Sequence, residues 1–313
     1  MSSIVYLDSI QTPLSTQTRE LVGLGTLLGD LMVVSGSTPS AEALAALGDL
    51  GVSHVIVAEG DVDQSLAVGQ GELLRTAAAE LEARVVLAPA QPAETEVVAR
   101  AAALDGSAII TGAQTVAPDL SVSKPVLSGT GYTVVRPTTA TAYVTVLPGA
   151  SAAATSEGAG PAELYPLPIE APAAAARLLA RTPISAGGRP DLETADVVVA
   201  GGRGTEGDFT AVEQLADALG AAIGASRVAA DEGWIGHESQ VGQTGRSVAP
   251  DLYVAAGISG AVQHVVGLRQ AGTIVAVNTD EDAPIFEIAD FGIVGKLQDV
   301  LPQAVEEIIR RRG

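Results

Sequence analysis

The sequence predicts an α/β protein of two domains, each a mainly parallel sheet flanked by helices. Three observations predict it. Short Val/Ile-rich runs alternate with longer Ala/Leu/Glu-rich stretches, the pattern of buried strands joined by crossover helices. The 313 residues suffice for two domains, and 47% of them are apolar, enough for sizeable cores. The alternation lapses after about residue 116 and resumes near 191, which sets the expected domains at 1–190 and 191–313.

In the first domain, strands are expected at 4–7, 31–35, 54–58, 84–88 and 107–111. Helices are expected between them at 18–28, 41–50, 71–82 and 93–104. The strands are continuous apolar runs, as burial on both faces requires. His54 opens one of them, where a capping or core role outweighs a ligand role. From Gly131 to Leu147 the composition turns to Thr, Val and Tyr in partial alternation. That predicts a β-rich annex of two or three strands, the first paired with 121–127. The Ala/Ser/Gly-rich stretch 148–160 reads as a flexible loop, and 183–190, bounded by prolines, as a linker.

The second domain is expected to be an open, doubly wound sheet. Its strands fall at 196–200, 226–229, 252–256, 273–277 and 291–294, and its helices at 209–219, 284–288 and 298–312. A further helix is expected to start at Gly260 with Ser259 as its N-cap. Ala261, Val262, Val265, Val266 and Leu268 would form its apolar stripe.

Composition narrows the chemistry. The chain has no Cys and three His, so it offers no disulfide, no thiolate nucleophile, no ligands for an iron–sulfur cluster and a poor set for zinc. No catalytic residue and no metal ligand is expected, and redox chemistry would fall to a bound organic cofactor. A net charge of −20 argues against nucleic acid and anionic membrane as partners. No apolar run approaches a membrane span, and the N-terminus lacks the basic region of an export signal, so a cytoplasmic protein is expected.

Such an acidic chain must meet a phosphate locally. Gly201-Gly202-Arg203-Gly204 follows one strand, Ser226-Arg227 lies near another, and Val241-Gly242-Gln243-Thr244-Gly245-Arg246 precedes a third. Each is an ordinary turn when taken alone. Arg227 could equally pair with Asp231 on the surface. Together they cluster where open α/β sheets bind ligands, beyond the carboxyl ends of the strands. Free N–H groups at the start of the helix near Ser259 would add an anion site.

These segments resemble the electron transfer flavoprotein α subunit family. The resemblance is carried by Val198 to Gly204, Gly224 to Arg227, Val241 to Gly245, Pro250 to His264, Thr273 to Asn278 and Asp282 to Val294. Over residues 1–190 it is one of layout. The resemblance implies one FAD, lying on the C-terminal domain against Arg203, Ser226, Arg227, Val241, Gly242, Gln243, Thr244, Ser259, Gly260, Ala261, Val262, Gln263, His264 and Asn278. It places His264 near the flavin's pyrimidine edge and Thr244 near N5. The family commonly has Asp at the position of Lys296, at the nucleotide end of the cofactor. The AMP part would then be held differently, or Lys296 would meet a phosphate directly.

The resemblance further implies an electron carrier, not an enzyme, paired with a β subunit. It would take electrons from flavin dehydrogenases of the acyl-CoA type, as in fatty acid β-oxidation, and pass them to a membrane quinone oxidoreductase. An NADH-oxidising, electron-bifurcating flavoprotein is the alternative. Arg227 and His264, read as cations beside a reduced ring, would each contribute roughly 4 kcal/mol at about 4 Å and an effective dielectric near 20.

Overall fold

In a computed structural model of the chain, residues 2–59, 67–127, 131–155, 160–170, 179 and 188–312 are described. The chain divides into two compact units, Met1–Thr182 and Pro183–Gly313. Residues 183–187 of the expected linker and 156–159 of the expected loop lie outside the described residues.

The first unit begins with the expected rhythm: β1 (Ser2–Leu7), α1 (Thr16–Leu28), β2 (Asp30–Ser35), α2 (Ala41–Asp49), β3 (His54–Ala58), α3 (Val68–Glu80), β4 (Val85–Pro89), α4 (Pro92–Asp105) and β5 (Ala108–Ala113). Ser15 and Ser40 start α1 and α2 by accepting the Thr18 and Ala43 N–H groups, which satisfies donors the helix leaves free. Then follow β6 (Thr115–Val116), β7 (Val122–Val126), β8 (Gly131–Val135), β9 (Ala142–Val146) and β10 (Glu163–Leu167).

The annex is smaller than the sequence suggests. Strands β6, β7 and β8 form an antiparallel sheet, with β7 and β8 paired as expected. Strand β9 instead enters the main sheet, whose order is β10-β3-β2-β1-β4-β9-β5 with every pairing parallel. All five β9 residues are buried, so the run behaves as an interior strand and not as an edge addition. Strand β10, which the sequence reading did not find, closes the opposite edge beside β3.

The second unit contains β11 (Val197–Gly201), α5 (Thr210–Leu219), β12 (Ala222–Ala225), α6 (Arg227–Asp231), β13 (Leu252–Ala256), α7 (Val262–Val265), β14 (Thr273–Asn278), β15 (Phe291–Val294) and α8 (Leu297–Arg312). The sheet is parallel with order β12-β11-β13-β14-β15. The chain leaves β11 to one side for β12 and returns to the other side for β13. That reversal opens a crevice above the carboxyl ends of β11 and β13.

Two expectations fail here. The strand placed at 226–229 lies earlier, at β12, and Ser226 caps α6. The Ala-Ile-Gly-Ala run of β12 lacks the Val/Ile density that marks the other strands, because side chains of Val198, Ala200 and Val241 already crowd its Gly224. The helix expected from Gly260 spans only Val262–Val265 before a 3-10 turn, Val266–Leu268, and Ser259 does not cap it. Gly260 sits at φ +82°, and a Cβ there would lie 2.3 Å from the Ile285 nitrogen. The chain is therefore pinned against the Pro284–Glu287 turn and cannot enter a helix at that point. So short a helix carries little macrodipole, and the anion site expected from it is withdrawn.

Among the described residues, no helix is long and apolar enough to cross a membrane, and no cluster of His, Asp and Glu is placed to hold a metal ion.

Candidate functional site

The crevice is built from backbone first. The Gly202 and Gly204 N–H groups donate to the Ala256 and Gly257 carbonyls, both at 2.9 Å. These bonds join the turn after β11 to the turn after β13. The backbones touch, since a Cβ on Gly204 would lie 2.7 Å from the Gly257 Cα. Only glycine permits that approach, so the two loops form one continuous rim. Arg203 stands exposed on it at the start of the 3-10 turn Arg203–Thr205.

The second wall rises from β12. Ser226 caps α6 through the Ala229 N–H, and its own N–H donates to the Gly201 carbonyl at 3.0 Å. Arg227 follows and pairs through Nε with Asp231 at 3.1 Å. The pair is largely exposed, and Arg227 still lines the cleft, so the surface-pair role and the cleft role coexist. The stretch 240–246 continues the wall. The Val241 N–H donates to the Ala225 carbonyl at 2.9 Å, and the Arg246 N–H to the Gln240 carbonyl at 2.7 Å. Arg246 is held from outside by Glu193. Val241 and Gly242 are buried, whereas Gln243 and Thr244 are exposed. The Gln243 N–H donates to the Gln263 carbonyl at 2.7 Å and ties this wall to the third.

The third wall runs from Gly257 to His264 and ends at Asn278. Ser259, Ala261, Val262 and Gln263 are exposed, and His264 is buried. His264 Nε2 lies 2.9 Å from the hydroxyl of Tyr253, a residue of β13 with no exposure. Its Nδ1 is shut from solvent, close to the Val241 backbone but outside hydrogen-bond geometry. Burial pushes the imidazole pKa down to about 4, with the Val241 backbone pulling the other way. His264 is therefore neutral at pH 7 in the ligand-free chain. Asn278, at the end of β14, donates through Nδ2 to the Ile258 carbonyl at 2.9 Å and accepts the Asp280 N–H at 3.1 Å. Its amide is committed to shaping the floor.

These walls enclose a cleft of about 650 Å³. Of the sequence-derived residues, Arg203, Ser226, Arg227, Val241, Gly242, Gln243, Thr244, Ser259, Ala261, Gln263, His264 and Asn278 line it. Gly260 and Val262 do not. Gly260 acts through the backbone, and Val262 is among the exposed apolar side chains. A second cleft of about 570 Å³ shares Gly204, Glu206, Gly257, Asn278 and Thr279 with the first and reaches Lys296 and Asp299. Sequence reading missed Glu206, Gln240, Thr279 and Asp280. The rule that ligands sit beyond strand ends could have found Thr279 and Asp280, which directly follow β14. Gln240 carried no signal, since it precedes the glycine-marked loop.

Electrostatically, Arg203, Arg227 and Lys296 bring positive charge to the clefts of an acidic chain, while Glu206, Asp280 and Asp299 supply acceptors. Arg227 is 66% exposed and shared with Asp231, so solvent and salt reduce its field well below the sequence expectation. Among the described residues, no nucleophile paired with a base stands in either cleft, and the side chains suit binding and orientation.

The chain's family follows from its likeness to known proteins. Residues 191–269 match the family model described as "Electron transfer flavoprotein FAD-binding domain", and residues 4–172 match "Electron transfer flavoprotein domain". The second match corrects the expectation that the first half shares only layout with the family. The chain is 39% identical to the electron transfer flavoprotein subunit alpha of Mycobacterium leprae over 99% of both chains. It is 38% identical to that of Pseudomonas aeruginosa over 97% of this chain and 98% of the relative. A 122-residue stretch, 38% of each chain, is 58% identical to the subunit alpha of Syntrophomonas wolfei. With both halves matched and full-length relatives at this identity, the chain belongs to the electron transfer flavoprotein α subunit family and carries that family's FAD-binding domain.

Proposed function

We propose that the chain holds FAD across the two contiguous clefts of its second unit and works as an electron carrier in the cytoplasm, paired with a β subunit. The first unit supplies the contact with that subunit. The carrier takes electrons from flavin dehydrogenases of the acyl-CoA type and delivers them to a membrane quinone oxidoreductase. The observation that carries this reading is the continuity of the clefts along the carboxyl ends of β11, β13 and β14. An elongated dinucleotide needs such a trough, and a small substrate does not.

The donor set fits the group. Bound FAD supplies the redox chemistry. Arg203 and Arg227 offer guanidinium forks to a pyrophosphate, and Lys296 offers a point charge in the second cleft. Glu206 and Asp299 offer carboxylates to ribose hydroxyls. Thr244 and Gln243 present polar groups to a ring edge, and neutral His264 gives the inner wall a dipole without a full charge. The rim of Gly204 and Gly257 brings backbone close to the ligand.

The test is to co-express the chain with its β partner, record the flavin absorbance and extract the cofactors. One FAD with one AMP per pair is the expected content. A colourless pair that takes up no FAD overturns the reading, and two FAD per pair would replace the simple carrier with the bifurcating form.

A further inference from the structure

Gln240 lies outside every loop that the sequence marks, yet its side chain has a definite task. The residue is 6% exposed, lines the cleft, and donates through Nε2 to Thr244 Oγ1 at 2.9 Å. Its backbone is anchored on both sides. It forms a parallel bridge with Ala225, its N–H donates to the His237 carbonyl at 3.1 Å, and its carbonyl accepts from Arg246. The side chain therefore leaves from a fixed point, and no large shift of the wall is open to it.

A hydroxyl has one hydrogen to give and two lone pairs. The Gln240 amide takes one lone pair of Thr244. The hydroxyl hydrogen cannot point back at a donor nitrogen, so it turns elsewhere. Thr244 is exposed and lines the cleft, so its free hydrogen is available to the ligand space. Were the contact an acceptor instead, Thr244 would donate inward and offer the cleft only lone pairs.

We propose that Gln240 is a positioning residue that fixes the polarity of Thr244, making its hydroxyl a hydrogen-bond donor toward an acceptor atom of the bound flavin ring. This rests on the FAD reading given above. Gln240 acts through Thr244 and not by adding a contact of its own. A donor aimed at an atom that gains electron density upon reduction stabilises the reduced ring more than the oxidised one. Removing the control over that donor therefore lowers the midpoint potential as well as the affinity.

The experiment is a double-mutant cycle on the co-expressed pair, with Gln240→Met, Thr244→Val and the combination. FAD dissociation constants and midpoint potentials are read at each corner. Gln240→Met is expected to weaken FAD binding roughly three- to tenfold, the range for one hydrogen bond, with a fall in potential. In the Thr244→Val background it should change neither quantity. Gln240→Glu keeps the shape but replaces the donor with an acceptor. It should depress the potential further with Thr244 present than with Val there, which separates hydroxyl polarity from the added charge. Equal effects of Gln240→Met in both backgrounds, or a loss of stability in urea with the potential unmoved, would overturn the proposal. A wild-type pair without FAD would overturn the function reading together with this one, whereas a yellow wild type with an uncoupled cycle overturns this one alone.

Discussion

Three tyrosines with no exposure sit in the parallel sheets: Tyr6 on β1 and Tyr143 on β9 in the first unit, and Tyr253 on β13 in the second. Each is a large apolar body with one polar atom that must be satisfied inside. In the first unit both hydroxyls donate to carboxylates, Tyr6 to Asp8 at 3.3 Å and Tyr143 to Asp105 at 3.2 Å. Burial and the neighbouring carboxylate both push those phenols up. A carboxylate only accepts, so these networks end there. In the second unit Tyr253 meets His264, a residue of the cleft wall whose other nitrogen has no partner in hydrogen-bond geometry. Two sheets of the same construction thus treat the same group differently. One ends its polar network on carboxylates at the unit's own surface, where Asp105 is exposed, and the other carries it to a buried histidine in a cleft wall.

The largest effect that would break this contrast comes from the backbone of the second unit. Gly260→Ala puts a Cβ against Ile285 at a positive φ. Left-handed strain and overpacking together are expected to cost about 2–4 kcal/mol. Urea unfolding followed by hydrogen exchange should show the loss in the second unit, with the amides of β1 and β4 protected as before. An equal loss of protection in both units would mean that the two are not separately stable and that the comparison is drawn in the wrong place.

Next in size is a pH effect confined to the second network. His264 titrates near 4 in the folded chain, against an ordinary value of 6.5. Between those values the unfolded chain binds more protons. Stability from this group is therefore complete above about pH 6.5 and falls as the pH drops toward 4, by about 3 kcal/mol in all. In FAD-free protein, the stability difference between wild type and His264→Gln should shrink over that window. A difference that stays constant from pH 7 to pH 4 would show that His264 is not buried neutral.

How much of this was legible in the sequence follows the same division. Strands that are continuous apolar runs, such as Val85–Pro89 and Leu252–Ala256, announce themselves because burial on both faces admits little else. Strand β10 does not. It pairs on one edge, carries Pro166, and four of its five residues are exposed, so neither alternation nor an apolar run marks it. Strand β12 hides because close packing at Gly224 replaced branched side chains with Ala and Gly. At the site, glycines and their neighbours were readable, since tight turns need particular residue types. The neutrality of His264 and the donor role of Gln240 were not. Both depend on what lies across the fold, Tyr253 in one case and the orientation of Thr244 in the other. The place of Ser259 at the cleft was readable, whereas its failure to cap a helix depended on the pinning of Gly260 by Ile285.

A smaller effect tests the first unit's side of the comparison. Tyr143→Phe removes one donor from Asp105, which also accepts from Ser107 at 3.0 Å. The expected cost is about 1 kcal/mol, the net value of one hydrogen bond, seen as a lower urea midpoint. FAD affinity and midpoint potential should not move. A change in the flavin absorbance on this substitution would show that the first unit's network is coupled to the flavin.

The smallest effect is also the one that decides how the cleft obtains its charge. Arg227 is bonded to Asp231 across one helical turn, with both side chains more than half exposed. Such a pair stabilises a helix by only about 0.3–0.5 kcal/mol, so Asp231→Asn should barely alter unfolding. It removes a competitor for the guanidinium, however. If Arg227 serves the ligand, FAD should bind about twofold more tightly in the variant at low ionic strength. That gain should vanish near 1 M salt, where the Debye length is about 3 Å. A gain that persists in high salt would come from altered packing at α6, and weaker binding would mean that Asp231 orients Arg227 instead of diverting it. The first result would move the cleft's working cation to Arg203 on the glycine rim, whereas the second would keep Arg227 in that role with Asp231 as its support.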